Sequence, residues 1–276
     1  MNIIKRNKIA GAVYGFAIGD AMGATTEFMT KEEIQRIYGK VTEINGGGWL
    51  NLNPGDITDD TQMTMCVMTA LMNTIEEDDI FGYKFVRQLR KEFIKWYQSK
   101  PKDIGNQCQK AIQEMIHFAK LGATKDDNAL GNGSLMRALP CALLDKELLN
   151  ELQSRMTHNN IECTEVIKSY TRLIQRCLDD EYIDIKTNYF LEPSGHIRNT
   201  FNNSVYWSQK DSFVDAIIGA VNHGGDADTI AAITGSIAGA KFGYTNIRKR
   251  WIEQLNPEVK EFLNNFINFV FSYLQI

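Results

Sequence analysis

The sequence predicts an all-α fold gathered into one compact domain spanning residues 1–276. Apolar residues recur at helical spacing along most of the chain, and alternating strand patterns are nearly absent. No Ser/Gly-rich or charged linker divides it, and no repeat of solenoid length appears. With 276 residues, 43% of them hydrophobic and 23% charged, the chain can bury a large core without a covalent staple.

The spacing predicts helices over 9–19, 31–38, 61–75, 81–98, 105–121, 134–153, 161–178, 199–208, 212–222, 229–242 and 257–274. The first carries Gly11, Gly15 and Gly19 at four-residue intervals, followed by Asp20 and Gly23, which lines glycines along one face for close packing. No strand precedes this run and no Lys-Ser/Thr follows it, so it is not a phosphate-binding P-loop. The 61–75 helix, from Gln62-Met63-Thr64-Met65 to Leu71, is apolar on nearly every face and reads as buried. Helices 31–38, 81–98, 105–121, 134–153, 161–178, 199–208 and 212–222 follow from apolar spacing or propensity, and Pro54, Pro101 and Pro193 mark turns between elements. The 229–242 helix places Ala231, Gly235 and Gly239 on one face, which lets a neighbouring helix approach closely. The 257–274 pattern closes the chain.

Charge and cysteine usage narrow the function. Thirty basic residues against 34 acidic ones give no polycationic surface for nucleic acid. Five scattered cysteines with no CxxC pair read as small buried apolar residues in a reducing compartment, and argue against zinc. The start of the chain does not read as a signal peptide, and the Ile9–Ala24 stretch is too broken by glycines and Asp20 to span a membrane. The expected home is the cytoplasm, with signal-less export to a host or neighbouring cell equally compatible.

Three glycine-rich loops punctuate the helices: Asn45-Gly46-Gly47-Gly48, Gly131-Asn132-Gly133-Ser134 and His223-Gly224-Gly225-Asp226. Glycine permits tight turns and close approach to a ligand, and helix N-termini favour anions. Two acidic clusters adjoin buried helices. Thr58-Asp59-Asp60-Thr61 heads the 61–75 helix, and Asp226-Ala227-Asp228-Thr229 heads the 229–242 helix. One carboxylate would suffice as a cap, whereas adjacent buried carboxylates repel each other unless a cation neutralises them. All-oxygen ligation selects Mg²⁺ or Mn²⁺, and four carboxylates exceed the need of one ion, so two divalent ions are expected.

These segments resemble the ADP-ribosylglycohydrolases, in particular the bacterial arginine-type members that reactivate dinitrogen reductase. The matching residues are Gly15–Gly23, Thr26-Glu27-Phe28, Thr58–Met63, Asp103-Ile104-Gly105-Asn106, Gly131–Pro140, Thr157-His158 and Gly224–Thr229 through Gly243, in the family's order. The resemblance implies an orthogonal helical bundle with a two-metal centre in a central cleft. Thr58, Asp59 and Asp60 would be ligands from one side, and Asp226, Asp228 and Thr229 from the other. Glu27 falls at a loop glutamate that moves over the site, and Asp103 at an acidic position near the scissile bond. Asp60, Asp103 and Glu27 are the catalytic candidates. Gly131, Asn132, Gly133, Ser134, Met136, Arg137, His158, His196 and Gly224 fall where the family contacts ADP-ribose. Two positions depart from the pattern: Ile57 replaces an aromatic residue, and His196 stands where a tyrosine often lies against the nucleotide.

The implied activity is metal-dependent removal of ADP-ribose from a modified protein, most simply from arginine, with ADP-ribose as product. Serine-linked ADP-ribose, O-acetyl-ADP-ribose and a non-catalytic ADP-ribose-binding role are the alternatives. Asp60 or Asp103 would activate water or protonate the departing guanidine.

Overall fold

The computed structural model describes residues 2–75, 81–181, 187 and 190–276. It is all-α. Helices α1 (Asn2–Gly23), α2 (Lys31–Tyr38), α3 (Asp59–Thr74), α4 (Tyr83–Gln98) and α5 (Asn106–Phe118) occupy the first part of the chain. A 3₁₀ turn at Asn132–Ser134 leads into α6 (Leu139–Leu143), α7 (Glu147–Arg155) and α8 (Ile161–Leu178). Then come α9 (Ile197–Ser208), α10 (Phe213–Val221), α11 (Ala227–Phe242), α12 (Lys249–Gln254) and α13 (Pro257–Tyr273). Among the described residues the only β-type pairings are isolated bridges, Gly47 with Leu52 and Gly131 with His196. No helix there is long and apolar enough to cross a membrane. All five cysteines are free and buried.

The glycine zipper of α1 and the small-residue face of α11 are partners. A Cβ on Gly11, Gly15, Gly19 or Gly23 would lie 2.4, 2.2, 2.0 or 2.5 Å from the carbonyl oxygens of Gly239, Gly235, Ala231 and Ala227. The helices are therefore antiparallel and packed backbone to backbone, closer than any side chain permits. This register sets the end of α1 beside the start of α11. Around the pair, Ile9, Phe16, Ile18, Ile217, Ile233 and Trp251 belong to one continuous apolar core.

Two expectations are corrected. The pattern over 134–153 is not one helix: Pro140 opens α6, and Asp145 adopts a left-handed backbone (φ +53) that stops it before α7. Helix α12 escaped the apolar pattern because its six residues bury only Trp251.

Candidate active site

The chain leaving α1 is tied to the loop before α11. Phe28 N–H donates to the Gly225 carbonyl (2.7 Å) and Gly225 N–H to the Met29 carbonyl (2.8 Å). Gly224 and Gly225 both have positive φ (+83 and +65), and a Cβ on either would strike the Met29 or Pro193 carbonyl. The Gly46–Gly48 loop is fastened to the same place, with Thr25 Oγ1 donating to the Gly46 carbonyl (2.9 Å). Only glycine fits at position 48, where a Cβ would meet the Ala24 carbonyl at 2.0 Å. Glu27, Trp49 and Asp226–Asp228 are thus brought together by loops pressed onto each other's backbone.

Thr58 caps α3, its hydroxyl accepting from Asp60 N–H (3.3 Å). Asp20, completely buried on α1, organises the same turn. Its carboxylate accepts from Thr58 N–H (3.1 Å), from Thr61 N–H (3.0 Å) and from the Thr61 hydroxyl. Asp59 and Asp60 are left facing the cleft. The Thr229 hydroxyl of α11 donates to Asp60 Oδ2 (3.3 Å), so the two acidic clusters, distant in sequence, meet directly. Carboxylate oxygens of Glu27, Asp226 and Asp228 lie within 4.8 Å of one another. Asp60 Oδ1 and Asp228 Oδ1 are buried without any hydrogen-bond partner.

This crowding shows in the protonation equilibria. Burial, then repulsion by the other carboxylates, raises Asp59, Asp60 and Asp228 well above the usual carboxylate range. Burial raises Glu27 to about 8, only partly offset by the Trp49 indole, which donates to its Oε2 at 2.6 Å. Asp226 is raised to about 6, again by burial, against a hydrogen bond from the Asn132 amide. Asp103 is raised as well, mainly by burial, and its charge in turn raises Asp59.

The cleft has a volume of about 320 Å³. Glu27, Asp59, Asp60, Asp103, Asp226, Asp228 and Thr229 line one part of it, and Asn132, Gly133, Met136 and His158 another. His158 is buried, bonded through Nδ1 to the Thr157 hydroxyl (2.8 Å), and burial lowers it to about 3, so its ring is neutral. Ile104, Gly105 and Asn106 bring the uncapped N-terminus of α5 to the wall.

Other expected contacts stand behind this surface. Arg137 is corrected from a ligand contact to a support. It is completely buried, and its guanidinium donates to the Gln153 side chain (2.8 Å) and carbonyl (2.9 Å), the Thr157 hydroxyl (2.6 Å) and the Gly133 carbonyl. It therefore holds the Gly131–Ser134 turn in place. Ser134 is fully buried, Gly131 pairs with His196, and Gly224 packs on Met29; none of the three lines the cleft. His196 caps α9, with Nδ1 accepting from Arg198 N–H (3.3 Å), and lies outside the cleft lining. Glu27, expected at a loop glutamate over the site, is buried within the carboxylate cluster.

Sequence reading missed Asp20, Trp49 and Cys108 at or behind the site. A lone aspartate inside an otherwise apolar, glycine-lined helix was the available signal for Asp20, since an unpaired buried charge is costly. Nothing local marks the other two.

The ADP-ribosylglycohydrolase family model matches residues 1–193 and 186–272. An ADP-ribosyl-[dinitrogen reductase] glycohydrolase of Rhodospirillum rubrum is 34% identical, covering 92% of each chain. ADP-ribosylarginine hydrolase Tri1 of Serratia proteamaculans is 28% identical over 90% of this chain and 75% of its own. A solved structure titled ADP-ribosylglycohydrolase-related protein complex shares the fold, with a TM-score of 0.81 at 24% identity, over 96% of this chain and 99% of that one. With the family pattern running through almost the whole sequence, the chain belongs to the ADP-ribosylglycohydrolase family.

Proposed function

We propose that the protein hydrolyses the bond between ribose C1″ of ADP-ribose and the side-chain nitrogen of a modified arginine, with two divalent ions, Mg²⁺ or Mn²⁺, as cofactors. The observation that carries this reading is the pair of partnerless buried oxygens, Asp60 Oδ1 and Asp228 Oδ1, on opposing helix starts. Buried unpaired carboxylates are strongly disfavoured, and cations relieve the cost. Thr58, Asp59, Asp60, Asp226, Asp228 and Thr229 are the assigned ligands, and Glu27 joins them. When bound, such ions polarise ribose oxygens and lower the pKa of water.

The protein's own groups account for the rest. Hydrolysis adds water oxygen to C1″ while the C1″–N electron pair leaves with the guanidine, which gains a proton. Asp103 lines the cleft, is partly exposed and is raised by burial, so it can take protons from solvent and deliver one to that nitrogen. Asp60, deeper and bonded by the Thr229 hydroxyl, would be ionised with the cations bound and would then accept the water proton. The open N–H groups of α5 suit the diphosphate. Neutral His158 and the Asn132 amide supply uncharged hydrogen bonds beside them. The relatives named for ADP-ribosylarginine and for ADP-ribosylated dinitrogen reductase support arginine as the modified residue and a protein as the substrate.

The test is release of ADP-ribose from arginine-linked, serine-linked and O-acetyl substrates, with Mn²⁺ and after exhaustive chelation. Metal-dependent release from the arginine linkage is expected. Full activity after chelation would overturn the metal assignment, and release from the serine linkage alone would overturn the substrate.

A further inference from the structure

Two large apolar side chains stand exposed at the mouth of the acidic cleft. Phe28 is 66% exposed and Trp49 50%, their ring centroids are 5.4 Å apart, and the ring planes are inclined at 47°. Both line the cleft. Neither is there by default. Phe28 has a left-handed backbone (φ +61), which costs a bulky residue about 1 kcal/mol or more, and its N–H is fixed to Gly225. Trp49 follows three successive positive-φ glycines, and its indole N–H is fixed to Glu27. Strain and exposure are thus both spent to hold two aromatic faces beside the carboxylates.

We infer that Phe28 and Trp49 form the subsite for the guanidinium of the modified arginine, and so set the preference for a cationic leaving group. This rests on the arginine reading above. Aromatic faces attract cations through the ring quadrupole, and guanidinium is the side-chain cation that also stacks on them. The charge pattern assigns the occupant. The ring pair adjoins Glu27 and the Asp226–Asp228 cluster, where the five assigned carboxylates still exceed the charge of two divalent ions by one, so this side of the cleft favours a cation over a diphosphate. The anion-compatible wall, at the α5 N-terminus, is built from different residues. The nucleotide therefore extends along that wall, and the arginine leaves past the rings.

Steady-state kinetics with an ADP-ribosylarginine peptide on metal-loaded enzyme, alongside the inhibition constant of free ADP-ribose, test this. Phe28→Ala and Trp49→Ala should each raise KM for the peptide about 5-fold. ADP-ribose inhibition should stay within about twofold, which also reports an intact cleft. Trp49→Phe keeps a ring without the indole N–H and should restore KM towards wild type. Unchanged KM in both alanine variants, with wild-type turnover intact, would overturn this subsite and leave the arginine reading standing. Equal weakening of ADP-ribose would also overturn it, showing that the rings hold the nucleotide. No turnover of the arginine peptide by the wild type would overturn both.

Discussion

The same two helices, α1 and α11, carry a seam packed backbone to backbone and, at its end, a crowd of buried carboxylates. Along their length, Gly11, Gly15, Gly19 and Gly23 lie against the carbonyls of Gly239, Gly235, Ala231 and Ala227. Where they end, burial raises the proton affinity of both Asp20 and Asp228, and for Asp228 the charges of Glu27, Asp60, Asp226 and Asp20 raise it further. One region is nearly rigid and free of polar conflict; the other is mostly conflict. Close backbone packing cannot relax by sliding or repacking side chains, so it holds repelling groups where they would otherwise separate. The zipper is the physical reason an acidic site can persist before anything binds in it.

Breaking the packed half should have the largest effect. Gly15→Val and Gly19→Val force a Cβ to within 2.2 and 2.0 Å of an opposing carbonyl, so each should cost about 4 kcal/mol or more, visible as loss of cooperative melting or of folded protein. Survival of either at wild-type stability would show that α1 and α11 can part without consequence.

Removing one repelling charge should separate activity from stability. Asp60→Asn and Asp228→Asn should each lose several kcal/mol of transition-state stabilisation, about 100-fold or more in turnover, and shrink the melting-temperature rise caused by excess Mn²⁺. Their metal-free forms should melt no lower than the metal-free wild type, because each has lost a buried like charge. Variants that kept the full Mn²⁺ shift would reduce these aspartates to helix caps.

The conflict should also be readable in pH. Glu27 is raised to about 8, so between pH 6.5 and 8 the unfolded chain has already ionised it while the folded chain still binds the proton. A raised folded pKa means stability that is lost as pH rises through that window. His158 and His223, lowered by burial to about 3 and about 4, pull the other way near pH 6.5, where the unfolded imidazole is half protonated, and this opposition fades as pH rises. The metal-free wild type should therefore lose melting temperature from pH 7 to 8, and Glu27→Gln, which leaves both histidines in place, should flatten the slope. An equal slope in the variant would remove Glu27 from the cluster.

The smallest effect sharpens the contrast on α11 itself. Its Ser236 hydroxyl bonds the Tyr170 hydroxyl at 2.7 Å, buried and away from the cleft lining. Tyr170→Phe should cost about 1 kcal/mol in denaturant unfolding and leave KM alone. A change in KM would mean that polar bonds along the helix reach the site.

The helices were legible in the sequence because their apolar spacing survives without knowledge of neighbours, and the helix over 161–178 is an instance. The break inside 134–153 was not, since a left-handed Asp145 is a choice of backbone that no spacing announces. In the site, Asp59, Asp60, Asp226 and Asp228 were legible as acids doubled up at buried helix starts. The pairing of Thr229 with Asp60 was not, because it depends on which helix start faces which.

By itself, then, the sequence determined a helical fold, two oxygen-rich helix starts, and small-residue faces able to pack closely. Those properties are local: periodicity, side-chain chemistry and side-chain size. Only the tertiary structure decided that the two small-residue faces choose each other in antiparallel register. From that register follow the burial of Asp20 under Thr58 and Thr61 and the inward place of Glu27, while the docking of α7, through Gln153 and the following Thr157, draws Arg137 behind the cleft wall. The physical reason is that charge repulsion, burial and backbone contact depend on distances between residues far apart in the chain, which composition and spacing do not contain.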